Sequence, residues 1–339
     1  MAIKKMGNQT VKFSNPPSII STASIVGPKE GEGPLKDYFD IVLEDDLYGE
    51  STWEKSESKL QKKSVNNALN KASLSLSEID YIFGGDLLNQ IIASGYSARD
   101  LQIPFFGLYG ACSTMAESLS LGAMIVDGGY ADKVVCVTSS HFSSAERQYR
   151  FPLELGNQRS LSAQWTVTGA GASILSSNGN GPYITHVTTG KIIDPGIKDV
   201  FNMGAAMAPA AVDTIITHFN DTGFAIDDYD YIVTGDLAAI GKDILLDMTK
   251  EEGLDLTEKY KDCGLEIFDN EKQDTHAGGS GCGCSATVFN GYLYNLLINR
   301  KINRILLVAT GALHSPTSTQ QGESIPGIAH AVSICTNIS

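Results

Sequence analysis

The sequence predicts an α/β protein made of two related halves in tandem. Three observations carry this: a run near residue 80 recurs 150 residues later, a helix start near residue 112 recurs about 172 residues later, and strand-like and helix-like runs alternate throughout. Alternation of this kind implies mostly parallel sheets with helices on their faces, and two copies imply a pseudo-two-fold packing. The halves divide as residues 1–177 and 178–339.

In the first half, Leu74–Leu87 reads as an acidic turn, a short β-branched and aromatic strand, and a closing Gly85-Asp86. Phe224–Leu237 repeats that order and closes with Gly235-Asp236. Gly110–Ala116 then faces Cys282–Val288, and each segment opens an apolar helix, over Leu119–Val126 and Tyr292–Ile298. A charged turn and a strand follow each helix, Lys133–Thr138 and Arg304–Thr310. The two offsets, 150 and about 172, differ by about 22 residues, which are expected in a surface insertion around Asp247–Asp262. Ligands of parallel sheets bind beyond the carboxyl ends of strands. Those ends carry Asp86, Cys112, Asp236 and the glycine-rich run before Cys284.

Composition excludes several function classes. The 339 residues carry 25 Lys and Arg against 39 Asp and Glu, a net charge of −14, and no basic cluster stands out, which argues against nucleic-acid binding. The longest apolar runs, such as Ile305–Thr310, stop far short of the roughly 18 residues of a membrane span. The N-terminus has no apolar stretch after its lysines, so no signal peptide is evident and a reducing cytoplasm is the expected compartment. The six cysteines lack paired C-x-x-C spacing, which gives neither a disulfide framework nor a zinc ribbon, so no metal site is expected.

Cys112 follows a strand-like run ending in small residues and precedes a helix, a position where the macrodipole and free N–H groups stabilise a thiolate. A small buried residue in a tight turn is an equally good description of it. The run Asp274–Ala286 has glycines at 278, 279, 281 and 283 that let backbone approach a ligand, with His276 at the rim as a donor to a ligand oxygen or an ordinary surface residue. Gln164–Leu175, with Trp165, and Ser324–Ala331, with Gly327 and His330, read as site loops or as plain turn chemistry. Gly169–Gly171 lacks the rest of a dinucleotide fingerprint, so no nucleotide cofactor is expected.

These residues resemble the thiolase-like superfamily of thiolases and ketoacyl synthases over nearly the whole chain. Cys112 stands where that family carries its acyl-accepting cysteine, and His276-Ala-Gly-Gly-Ser-Gly looks like the thiolase G-H-P-x-G-x-S-G segment. Thr168–Ala172 resembles the G-D-G-A-G-A strand, and Ile325-Pro326-Gly327 falls at the C-terminal glycine-rich loop. The resemblance implies a thiolase-like fold, layered αβαβα, and usually a homodimer formed through the strand before the nucleophile, here Pro104–Tyr109.

The condensing-enzyme set is incomplete. Ketoacyl synthases place a histidine where this chain has Gly235-Asp236, and thiolases a second cysteine where it has Ile325–His330. The runs Phe13–Pro17, Glu146–Glu154 and Gln164–Ala172 are similar to a sporulation branch of the superfamily. That resemblance implies binding of pyridine-2,6-dicarboxylic acid (dipicolinic acid), with or without calcium, and its uptake into the forespore. It also implies partner proteins of the same operon at the spore inner membrane, reached peripherally and without an anchor of its own. The expected ligand contacts are Asp86, Cys112, Trp165, Asp236, His276, Gly279, Gly327 and His330. Two helix N-termini, at Cys112 and near Cys282–Cys284, are expected to offer N–H donors to the carboxylates. The alternative is an acyl-CoA-dependent acyltransferase using Cys112 and His276.

Overall fold

A computed structural model describes residues 3–149 and 159–338. Its centre is two five-stranded sheets of the same strand order, joined edge to edge by one antiparallel pairing of Ser18 with Tyr183. The first holds β1 (Ser18–Val26), β2 (Tyr81–Gly85), β3 (Phe105–Gly107), β4 (Lys133–Ser140) and β5 (Gly169–Ser176), in the order β3-β2-β4-β5-β1. The second holds β6 (Tyr183–Thr188), β7 (Tyr231–Thr234), β8 (Tyr260–Asp262), β9 (Arg304–Ala312) and β10 (Gly327–Cys335), in the order β8-β7-β9-β10-β6. Within each set of five only β5 and β10 run against their neighbours, so the other four strands of each point the same way. Even the irregularities repeat, since β1 and β6 each carry a bulge near their start, between Ile19 and Ser21 and between Ile184 and His186.

Strand periodicity sorts the core into layers. Val135 and Val137 of β4 face outward onto Val65, Ala68 and Leu69 of helix α1 (Trp53–Ala72), while Val134 and Cys136 face inward. In β9, Leu306 and Val308 face outward onto α5 (Met203–Thr222), and Ile305 and Leu307 inward. Between the sheets lie α3 (Thr114–Asp127), with Met115, Leu119 and Ala123 fully buried, and α8 (Cys282–Val288), buried along its whole length. Helices α2 (Ile92–Leu101) and α6 (Ala238–Glu251) complete the outer layers beside α1 and α5, and α4 (Phe142–Tyr149) follows β4 and touches α1. The layering is therefore α-β-α-β-α. Among the described residues, no helix is long and apolar enough to cross a membrane.

The repeat extends to hydrogen bonds. Glu78 accepts from the Ser75 N–H and Asp228 from the Ala225 N–H, each closing one acidic turn. Asp80 accepts from the N–H groups of Asp132 and Lys133, and Asp230 from those of Asn303 and Arg304, each tying β2 or β7 to the strand that pairs with it. The expected insertion at Asp247–Asp262 is corrected: that stretch is the end of α6, a turn and β8, all of which have counterparts in the first half. Most of the extra length lies further on. β3 ends at Gly107 and α3 starts at Thr114, whereas β8 ends at Asp262 and α8 starts at Cys282, with α7 (Cys263–Glu266) between them.

β5 ends at Ser176 and β6 begins at Tyr183, with the turn Gly179-Asn180-Gly181 between them. The halves nevertheless share one core. The second half's α8 is seated on the first sheet, where Thr138 donates to the Cys282 carbonyl, the Gly283 N–H donates to Ser140 Oγ, and Ala286 carbonyl packs against Gly171.

Candidate functional site

The Cys112 turn is built from local contacts. Ala111 sits at φ +50°, a left-handed conformation that L residues adopt only under constraint. Thr114 Oγ1 accepts from the Gly110 N–H and donates to the Ala111 carbonyl, while Ser113 Oγ donates to the Gly110 carbonyl. The turn closes against β9: a Cβ on Gly311 would lie 2.2 Å from the Gly110 oxygen and 3.3 Å from the Cys112 nitrogen. Cys112 is 5% exposed and opens into a chamber of about 30 Å³ bounded by Leu87, Ala145, Tyr149, Thr166, Ser280 and His314. That is room for about one water.

A vestibule of about 540 Å³ lies outside, lined by Leu88–Ile91, Tyr109 and Ser315, and shares His314 with the chamber. Tyr109 belongs to the vestibule and Tyr149 to the chamber, and their hydroxyls are 3.0 Å apart. Tyr149 also donates to the Leu87 carbonyl at 2.5 Å, so the pair ties the wall of one space to the wall of the other.

Carboxyl groups dominate the electrostatics. Asp236 is fully buried, lies against the Cys112 thiol, and accepts from the Gly281 N–H at 2.9 Å and the Thr310 hydroxyl at 2.7 Å. Burial pushes its pKa up to about 7. Burial first, and then Asp236, hold the Cys112 thiol well above the ordinary range. Behind it, Cys282 donates to the Ser139 carbonyl, and its thiol is pushed up by burial and then by Asp86 and Glu57. Asp86 accepts from Leu88 N–H and from both N–H and Oγ of Ser94, and Glu57 accepts from Ser139 and Ser144. Burial raises both of these carboxyls, and the neighbouring Asp86 raises Glu57 further. No lysine or arginine lines the chamber among the described residues. Such a site keeps its thiols protonated, unlike the thiolate expected at a helix start.

Comparisons with known proteins agree with this architecture. The family described as stage V sporulation protein AD matches residues 7–335. Stage V sporulation protein AD of Bacillus subtilis (strain 168) is 46% identical over 330 residues, covering 97% of each chain. The chain belongs to the stage V sporulation protein AD family. It is therefore a sporulation protein. Solved structures place the family's fold among thiolase-like proteins. Cerulenin-bound OleA of Xanthomonas campestris superposes with a TM-score of 0.63 at 16% identity, covering 96% of this chain and 97% of that one. The 3-oxoacyl-[acyl-carrier-protein] synthase III of Aquifex aeolicus VF5 gives 0.58 at 13% identity, covering 94% and 99%.

In this family member, the residues expected at the site are only partly brought together. Cys112 and Asp236 meet. Asp86 lies a layer behind, with its neighbour Leu87 on the chamber wall. His276 does not reach the chamber: its Nδ1 pairs with the Ser160 carbonyl at 2.7 Å and its Nε2 lies 3.1 Å from Asp274, so the rim histidine closes a surface loop. Trp165 stacks on Phe142 at 3.8 Å with Lys29 and Arg159 over its ring, and Gly279 pairs with it in a short parallel bridge. Their successors Thr166 and Ser280 are the residues that line the chamber.

Gly327 packs on the α5 backbone, where a Cβ would lie 2.7 Å from the Ala206 oxygen. His330 is buried in β10 and accepts from the Gly190 N–H. The second helix start is not free for a ligand either, since Asp236 takes the Gly281 N–H and Ser140 that of Gly283. Of the run Glu146–Glu154, the part from residue 150 onward lies outside the described residues. Sequence reading missed Tyr109, Tyr149 and His314; the signal for His314 is its place three residues beyond Gly311, where a long apolar strand ends.

Proposed function

We propose that this sporulation protein binds dipicolinic acid for its uptake into the forespore and performs no condensation. The observation that carries the non-catalytic reading is the Asp236 carboxyl against the Cys112 thiol. Acyl transfer needs a thiolate and donors aimed at a developing oxyanion, and a buried carboxyl at that spot opposes both. The chamber is too small for a six-membered ring with two carboxylates. The vestibule has the volume, with Tyr109 available to stack. A net charge of −14 opposes an anion at long range, but screening over about 10 Å leaves local donors in control. Calcium entering with the ligand would neutralise its carboxylates.

Calorimetric titration with dipicolinic acid and with its benzene analogue tests this. Saturable heat with the pyridine acid is expected, and heat of dilution alone for both removes the reading. Membrane association would run through partner proteins of the same operon. A homodimer would form through β3, the edge of the first sheet, where Phe106 is 48% exposed.

The second reading is an acyltransferase, favoured by the close approach of Gly311 to the Cys112 turn and by the thiolase-like fold. It predicts an acyl adduct on Cys112 by intact-mass spectrometry after incubation with acyl-CoAs. Absence of an adduct across a panel of chain lengths counts against it.

A further inference from the structure

Helix geometry and the packing of α2 on α1 turn the four lysines spread over residues 55–63 into one basic groove. Lys55, Lys59, Lys62 and Lys63 recur at helical spacing along one face of α1, and Arg99 of α2 faces them. Together they line a groove of about 570 Å³ whose carboxylates are Glu50 and Asp100. Five cations against two carboxylates make this a positive site on a chain of net charge −14.

The duplication supplies an internal control. Helix α5 is the counterpart of α1 in the second half and is also 20 residues long, yet it contains no lysine or arginine and carries Asp213 and Asp221. The basic face is therefore not a requirement of the architecture. It also works against the helix, because Lys55, Lys59 and Lys63 follow one another at i,i+4 as like charges. Lys59 and Lys62 are tied back to Glu50 and Asp100, at 3.1 and 2.8 Å. Lys63 is exposed and has no ion pair or hydrogen bond among the described residues.

We propose that the groove between α1 and α2 docks an acidic segment of a partner protein. Its concave shape fits a chain laid along α1 better than a lipid plane, which would meet protruding side chains and the two wall carboxylates. From Lys55 to Asn66 it runs about 16 Å, the span of about eleven helical residues. Tyr48 and Tyr96 in its walls, the latter 48% exposed, give apolar side chains of the segment a surface.

The test uses the full chain and a fluorescein-labelled peptide of about eleven residues, rich in Glu with spaced Leu, read by fluorescence polarisation. Binding is expected, weakening with salt and falling at least about tenfold in K55E/K62E/K63E. The charge-matched variant K242E/K250E/K301E, altered outside the groove, is expected to bind as the wild type does. Thermal melting checks the fold of each variant, and K63E alone, at an exposed position, is expected to lose about threefold should the triple variant melt early. The proposal is overturned if the wild type does not bind the peptide, or if K55E/K62E/K63E, or K63E in its place, binds as well as the wild type. Equal loss in the charge-matched variant also overturns it. So does capture of the protein by phosphatidylglycerol vesicles through these lysines without peptide binding.

Discussion

Replacing Asp236 by Asn isolates the charge that sets the character of the Cys112 site. Burial holds the carboxyl at about 7, against 3.8 for an ordinary aspartate. At about 1.4 kcal/mol per pH unit, ionised Asp236 costs the folded state up to about 4 kcal/mol. The sign follows from the raised value: the contribution to stability is complete below about pH 4 and is lost as pH rises through 7. Asparagine keeps an acceptor for the Gly281 N–H, and the Thr310 hydroxyl rotates to accept from its amide.

Asp236→Asn should therefore match the wild type near pH 4 and be more stable at pH 9 by as much as about 4 kcal/mol. Guanidinium unfolding midpoints across that range measure this. Glu30 at about 7 and Asp262 at about 6 remain in both proteins, so the slope is reduced and not abolished. Alkylation of Cys112 by iodoacetamide at pH 8, mapped by mass spectrometry, should also be faster in the variant, because the like charge facing the thiol is gone. Identical pH profiles for the two proteins would refute the reasoning.

His330→Gln tests the opposite sign: burial lowers this imidazole to about 4, so its contribution is present above 6.5 and lost on acidification, and the variant should lose up to about 3 kcal/mol less between pH 6.5 and 4 by denaturant titration. Gly311→Ala drives a methyl into the Gly110 carbonyl where the halves meet and should cost about 1–3 kcal/mol, seen as a lowered melting temperature. Leu119→Ala, between the sheets, should cost about 2–5 kcal/mol by the same measurement. His276→Ala should leave dipicolinic acid titrations unchanged, since its ring closes a loop outside the chamber.

The sequence made the strands and the duplication legible because both rest on local pattern. Tyr81–Gly85 and Tyr231–Thr234 advertise themselves by β-branched and aromatic residues before Gly-Asp, and the structure ties both with matching carboxylates. The extra residues were misplaced because the charged stretch Asp247–Asp262 looks like an exposed loop, whereas the end of an amphipathic helix and a short half-buried strand absorb it. At the site, Cys112 and Asp236 stand at strand ends, where topology alone brings them together. Tyr109, Tyr149 and His314 converge from three separate segments, and only tertiary packing sets their distances. His276 misled because glycine-rich flanks mark flexible backbone without saying which way it turns; at φ +55° the histidine points into its own loop.

The seating of α8 on the first sheet has a further consequence. Asn290, in the π-helical turn Phe289–Leu293 that continues α8, accepts through its carbonyl from Thr22 and through its side chain from Ser173, both first-half strand residues, so groups from one half complete the other's buried pairing. A chain severed in the exposed turn at Gly179-Asn180 would leave two fragments, each with unmatched buried donors and a bare apolar sheet face. Neither fragment can be stable by itself, yet each carries the template the other needs. Mixed, they should reassemble. The ancestor of such a tandem gene would then have been a single-unit chain that existed only as a pair.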